Sequence, residues 1–233
     1  MADITLRARC SNGPPLQQSL DMTSQRSYWD RVANQKRFSH PVRLDWLEKH
    51  SDKQARIFDY GCGYGRTLAE LSNAGYGNTF GMDFSATMLS RCRREVPRSR
   101  LIRNEGCGLP LQPHSVDVVL LFAILTCIPD SNEQRLLLAA VEEVLRPGGL
   151  IYLSDLLLNN DARNRERYQR FAEAYKCYGV FELPEGVAVR HHQQEWIEEL
   201  TVSFRPLAYE RFRVTTMNGN TSAAFQYLGH KPS

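Results

Sequence analysis

The run Ile57-Phe58-Asp59-Tyr60-Gly61-Cys62-Gly63-Tyr64-Gly65-Arg66-Thr67 constrains the fold more than any other part of the chain. A short apolar stretch ends in an acid, three glycines follow at alternate positions, and TLAELSNAG then shows helical spacing. Glycine adopts left-handed backbone conformations without a Cβ penalty, so the run reads as a tight strand-to-helix turn that lets a ligand approach the backbone closely. The unpaired N–H groups at the helix start favour a carboxylate or phosphate there. A strand feeding a helix in this way is half of a βαβ unit, and two parallel strands need such a crossover.

The segments that follow repeat the unit. NTFGMD is a second strand, SATMLSRCRREV a helix that Ser85 can cap, SRLIRN a third strand and VDVVLLFAIL a buried fourth. NEQRLLLAAVEEVL is an amphipathic helix, and GGLIYLSDLL is a fifth strand after the Pro147-Gly148-Gly149 turn. Near the end, YERFRVTTM and AAFQYLGHK flank the turn formers Asn218, Gly219 and Asn220 and predict a hairpin. The expected fold is α/β: a doubly wound, mostly parallel seven-stranded sheet with helices on both faces and an antiparallel C-terminal edge hairpin.

Two amphipathic stretches precede the core, SYWDRVANQKRF with Trp29, Val32 and Phe38 in helical register and VRLDWLEKH from Val42. Between the fifth strand and the hairpin, residues 160–178 have helical spacing with Tyr168, Phe171 and Tyr175 on one side; VFELPEGVAV gives two extended pieces around a turn, and HHQQEWIEEL a helix. A length of 233 residues with 42% hydrophobic content suits one domain. We assign residues 1–25, rich in Gly, Pro, Ser and Gln, to a flexible N-terminal segment, 26–233 to a single domain, and 156–195 to an insertion that acts as a lid.

Composition excludes several function classes. No apolar run approaches the roughly 18 residues that a membrane span needs, and the N-terminus lacks a signal-peptide core, which predicts a cytoplasmic protein without a membrane partner. The six cysteines form no CxxC pair and no zinc spacing, so reduced thiols and no metal are expected. Net charge is +3, and the cluster Arg91, Arg93, Arg94, Arg98, Arg100 and Arg103 has no interleaved aromatics; it reads as a solvated helix face, and nucleic acid is not an expected partner.

The glycine spacing narrows the ligand. A dinucleotide fingerprint beginning at Gly61 requires glycine at 66, where Arg66 stands, and one beginning at Gly63 requires it at 68, where Leu68 stands. The remaining pattern, DxGxGxG, resembles motif I of the class I SAM-dependent methyltransferases, whose loop passes under the methionine half of S-adenosylmethionine (SAM). The resemblance implies SAM as cofactor, S-adenosylhomocysteine (SAH) as product, and contacts from Asp59, Gly61, Cys62, Gly63 and Gly65.

Asp83 ends the next strand 18 residues beyond Gly65, where a carboxylate can accept from both ribose hydroxyls. NEGCGLPLQPHSVDVVLL is similar to the family's GDAxxLPFxxxSFDxV; Glu105 stands at the adenine-contacting Asp, one methylene longer, with Gly106 beside the ring. Asp117 reads as a structural strand-entry residue. LRPGGLIYLSD resembles the family's LKPGG turn, and SYWDRVA resembles its N-terminal helix over the pocket. Tyr28, Phe84, Met88, Cys107, Phe122 and Ala123 complete the cofactor contacts that the likeness implies. It runs from about Ser27 to Asp155 and identifies no subfamily beyond that point.

A methyl group on a sulfonium is already activated, so transfer needs alignment of acceptor, carbon and sulfur more than a protein nucleophile. Ligands of open α/β sheets bind beyond the carboxyl ends of the strands, so the acceptor is expected against Phe122 to Cys127, with Thr126 and Cys127 touching it. That segment lacks the [DN]PP[YF] tetrapeptide of similar enzymes that methylate exocyclic amino groups and amides. The lid offers Tyr168, Phe171, Tyr175, Tyr178 and Phe181, of which Tyr168, Tyr175 and Tyr178 are candidate acceptor contacts. His191 and His192, an adjacent pair titrating near neutrality, are candidates for a general base. The expected function is methyl transfer to a small-molecule acceptor. An RNA methyltransferase acting on tRNA bases is the first alternative, and a non-catalytic SAM-binding or scaffold protein is the alternative from another class.

Overall fold

The computed structural model describes residues 20–35, 37, 39–104 and 108–233, and only the backbone of residues 20–24. The chain runs α1 (Leu20–Val32), α2 (Leu44–His50), β1 (Ile57–Tyr60), α3 (Arg66–Asn73), β2 (Thr79–Asp83), α4 (Ala86–Glu95), β3 (Arg100–Arg103) and β4 (Val116–Phe122). A 3₁₀ turn at Leu125–Cys127 leads to α5 (Ser131–Val144), β5 (Leu145–Leu156), α6 (Ala162–Tyr175), β6 (Val180–Glu182), β7 (Ala188–Arg190), α7 (Gln194–Leu200), β8 (Arg205–Thr215) and β9 (Thr221–His230).

Seven strands form one sheet in the order β3-β2-β1-β4-β5-β9-β8, with β6 and β7 paired separately as a small hairpin. The first five are parallel; β9 runs antiparallel to β5, and β8 to β9. Both faces of the parallel part are covered, which explains its unbroken apolar runs. On β1, Ile57 faces a cluster with Val118, Leu120 and Tyr152, while its neighbour Phe58 faces the opposite cluster with Phe80, Val119 and Leu121. The strand order reverses at β1, between β2 and β4, and a doubly wound sheet opens its ligand crevice beyond the strand ends at such a point.

Local chemistry sets the helix ends. Ser85 caps α4 by accepting from Met88 N at 3.1 Å, and Asp130 caps α5 by accepting from the amides of Asn132 and Glu133. Asp117 is structural, as the sequence suggested: it accepts from Arg56 N at 2.7 Å and pairs with the Arg56 and Arg146 guanidinium groups at the mouth of β4. Among the described residues no helix is long and apolar enough to cross a membrane.

Two boundaries differ from expectation. Helix α1 starts at Leu20, so residues 20–25, assigned to the flexible segment, are helical; residues 1–19 and Phe38 lie outside the described residues. The extra turns are anchored by Gln25, whose Nε2 donates to Ala188 O at 2.9 Å and Cys127 O at 3.2 Å, a tertiary tie that local spacing does not reveal. Strand β4 stops at Phe122, three residues before the end of its apolar run. Ala123 turns left-handed (φ 56°), and Asp155 accepts from Thr126 N at 3.1 Å and Leu156 N at 2.7 Å, holding the chain in the 3₁₀ turn.

Candidate active site

The glycine turn closes against the end of β4. Gly61 has φ 69°, and a Cβ there would lie 2.2 Å from Ile124 Cδ1. Gly65, the residue before α3, has φ 86°, and its Cβ would lie 2.4 Å from Cys92 Sγ. Both positions therefore require glycine for backbone conformation and for close packing. Asp83 leans back over the turn: Oδ2 accepts from Gly63 N at 2.9 Å and Oδ1 from Ser85 N at 2.8 Å, which leaves a further lone pair on each oxygen.

A cavity of about 180 Å³, with a smaller pocket beside it, opens on this turn. Tyr28, Gly61, Gly63, Asp83, Phe84, Met88, Phe122 and Ala123 line it at the turn end, and Thr126, Cys127 and His191 line it further out. Other expected residues stand elsewhere. Asp59 and Cys62 line the smaller pocket, together with Gly61, Arg66 and Thr67, and Gly65 lines neither; the Cys62 thiol is turned into an apolar cluster with Leu68, Leu89 and Cys92. Glu105, Gly106 and Cys107 lie outside the described residues.

The lid differs most from expectation. Tyr168, Tyr175 and Tyr178 do not line the cavity. Tyr168 is fully buried beneath His191, Tyr175 turns outward to Glu182 Oε1 at 2.8 Å, and Tyr178 is 41% exposed at the lid surface. The face that α6 turns inward carries Arg163 and Arg167, one helical turn apart, and the aromatic part of this wall is Phe181. His192 is also off the cavity. Its Nδ1 lies 3.1 Å from Leu156 O and its Nε2 3.0 Å from Gln134 Nε2, so both ring nitrogens are taken up by the core.

Burial dominates the electrostatics. It pushes Asp83 up to about 6, against hydrogen bonds from the amides of Ser85, Gly63 and Phe84, and Asp59 up to about 7, against the Arg66 charge. Asp155, buried under the 3₁₀ turn, is likewise raised to about 7, and Tyr28 to about 12. His40 is pushed down to about 4 and His191 well below the usual imidazole value, where Arg167 and His192 add to the effect of burial. His40 lines the cavity with Nδ1 2.8 Å from Ser154 Oγ. Nothing in its sequence neighbourhood singles it out, because the contact spans 114 positions.

Residues 58–153 match the family model described as "Methyltransferase domain". Those residues are a methyltransferase domain. Its fold is shared with a SAM-dependent methyltransferase from Methanosarcina mazei (TM-score 0.76, 21% identity, 83% of this chain and 99% of that one) and with another from Mesorhizobium loti (TM-score 0.59, 19% identity, 80% and 96%). By sequence the chain is 30% identical over 122 residues to the ribosomal protein L11 methyltransferase of Ralstonia nicotianae, covering 51% of this chain and 39% of that protein. It is 25% identical over 142 residues to the ubiquinone biosynthesis O-methyltransferase of Neisseria meningitidis, covering 57% and 58%. The chain thus spans 39% and 58% of the length of these curated relatives.

A methyltransferase domain with SAM-dependent neighbours implies SAM as the cofactor, and two features of the cavity fit it. Asp83 offers acceptors, as a ribose diol needs, and Tyr28 brings a buried hydroxyl that has no partner among the described residues. An unpaired buried hydroxyl is costly unless a ligand bonds it. The turn supplies close backbone approach beside them. The methyltransferase domain is roofed by α1, whose Asp30 accepts from the Ser85 hydroxyl and from Thr87 N at 3.3 Å, so the roof is tied to the start of α4.

Proposed function

We propose that the chain transfers the methyl group of SAM to a small-molecule acceptor, with SAM held by the Gly61–Gly63 turn, Asp83 and Tyr28. The observation that carries the reading is the continuity of one cavity from those residues to Thr126, Cys127, Phe181 and His191. SAM supplies a methyl group on a positively charged sulfur, activated for displacement. The protein's part is to align the acceptor beside it, exclude water and take up a proton where the acceptor has one to lose. An acceptor has to enter a space walled by α1, α6 and the β6–β7 hairpin, which favours a small molecule over a folded macromolecule.

His191 is our choice for the base. Asn159 Nδ2 donates to Leu157 O at 2.9 Å and to Ser222 Oγ at 2.8 Å, which uses both of its protons. Tyr168 Oη is 3.4 Å from Asn164 Oδ1, which can only accept, and 2.6 Å from His191 Nδ1. The tautomer this role requires has His191 Nδ1 donating to Tyr168, which also accepts from Asn159 N at 3.3 Å and donates to Asn164. The Nε2 lone pair is then available on the cavity side, on an imidazole kept neutral by burial.

The test is calorimetric titration with SAM and SAH, followed by incubation with SAM and a metabolite extract. SAH formed together with a product heavier by one methylene supports the proposal. Absence of SAM and SAH binding to folded protein removes it, and binding without turnover turns it into a non-catalytic SAM-binding protein.

A further inference from the structure

At the acceptor end of the cavity the charged wall has one sign. Arg163 and Arg167 line it from α6, and among the described lining residues the only carboxylate is Asp83, at the cofactor end. The Arg167 guanidinium lies 3.5 Å over the Phe181 ring, and its buried Nε has no hydrogen-bond partner among the described residues. The acids of α6 are engaged outside: Glu166 pairs with Arg170 and Glu173 with Lys176. Burial lowers the pKa of Arg167, Arg163 adds to that, and only the Tyr168 hydroxyl and Asp161 counter it. A half-buried guanidinium whose charge is countered only by a hydroxyl, a more distant carboxylate and a ring face is a partly compensated cost in the empty protein.

We propose that the methyl acceptor carries an anionic group, a carboxylate or phosphate, which docks on Arg167 with Arg163 beside it and so sets the reacting atom toward His191. The inference rests on the assignment of this end of the cavity to the acceptor. A guanidinium fork matches a carboxylate or phosphate with paired hydrogen bonds, and stacking on Phe181 fixes its plane before the ligand arrives. Arg167 and His191 pack against the same ring, His191 edge-on with centroids 5.1 Å apart, so an anchored acceptor lies beside the imidazole. Arg167 is also the foremost charge depressing the basicity of His191, and an anion on the guanidinium offsets it. Binding the anion therefore strengthens the base that the same acceptor needs.

The experiment compares phenylacetate with its neutral counterpart phenylacetamide by calorimetry, on protein saturated with SAH. The wild type is expected to favour the acid by about tenfold or more, the size of one charge-assisted hydrogen bond. Arg167→Met abolishes the preference, Arg167→Lys keeps part of it, and SAH affinity stays within about twofold in both, since these changes lie away from the turn. Equal binding of acid and amide by the wild type, no binding of the acid, or a preference that survives Arg167→Met overturns the inference. If Arg167→Met does not fold, Arg167→Lys and Arg163→Gln decide it by the same criterion. Failure of SAH to bind removes the methyl-transfer reading, and the comparison run on unloaded protein then judges the anion site separately.

Discussion

Replacing Gly61 by alanine tests how the turn is built, because two separable costs meet at one atom. The left-handed conformation (φ 69°) charges any L-residue about 1–2 kcal/mol. The new Cβ lies 2.2 Å from Ile124 Cδ1, and overpacking of this kind costs about 1–3 kcal/mol more. The single variant is thus expected to lose about 2–5 kcal/mol in urea unfolding followed by circular dichroism. Ile124→Val removes the offending methyl and leaves the other near atom, Cγ1, at 3.4 Å, a tolerable distance. On its own that change costs about 0.5–1.5 kcal/mol. In the double variant the steric part vanishes and the backbone part stays, so the cycle should show a favourable coupling of about 1–3 kcal/mol. Additivity within about 0.5 kcal/mol would refute the packing of the glycine turn on the end of β4. SAH calorimetry on the same proteins should show weaker binding to Gly61→Ala and partial recovery in the double variant.

Asp83→Asn should weaken SAH binding by about tenfold or more and cost about 1–3 kcal/mol in unfolding, because one oxygen that accepts from Gly63 N or Ser85 N becomes a donor. The wild type should lose SAH affinity as pH falls through about 6, where Asp83 takes up a proton, and the difference between wild type and Asp83→Asn isolates this from Asp59, which titrates near 7. The sign is set by the raised value: without ligand the ionised carboxylate is the penalised form, so it costs stability as pH rises from about 4 to 6, and a bound ribose offsets that cost. A flat difference across that window would sever Asp83 from the sugar. His192→Leu should cost about 0.5–1.5 kcal/mol in unfolding, because the ring contacts to Leu156 O and Gln134 are lost while both keep other partners, and leave SAH affinity unchanged; an altered affinity would contradict its placement off the cavity. Asp155→Ala frees the amides of Thr126 and Leu156 and should lower stability by a similar amount, read by the same urea titration, with no loss counting against its role in the 3₁₀ turn.

Much of the molecule is written locally. The periods of the apolar residues, the caps at Ser85 and Asp130 and the turns at Gly148 and Gly219 place the strands and most of the helices, because each depends on neighbours within a few positions. The same holds for the cofactor end: Gly61, Gly63 and Asp83 are tied to strand ends, and the fold sends strand ends to one crevice.

The acceptor end had no comparable signal. Helical spacing puts Tyr168, Phe171 and Tyr175 on one side of α6 but does not say which side faces inward; packing on Phe181 and His191 buried Tyr168 beneath the cavity and gave the wall to Arg163 and Arg167. The adjacent pair His191 and His192 was divided in the same way, since neighbours on an extended segment point to opposite sides, one toward the cavity and one into Gln134 and Leu156. His40, Gln25 and Asp155 owe their roles to contacts 114, 163 and 29 positions away. The sequence alone determined the sheet, its glycine turn and the acid beside it, because those follow from short-range periodicity and backbone sterics. Only tertiary packing decided what lines the far wall, because a side chain's surroundings there are set by residues the chain brings together from a distance.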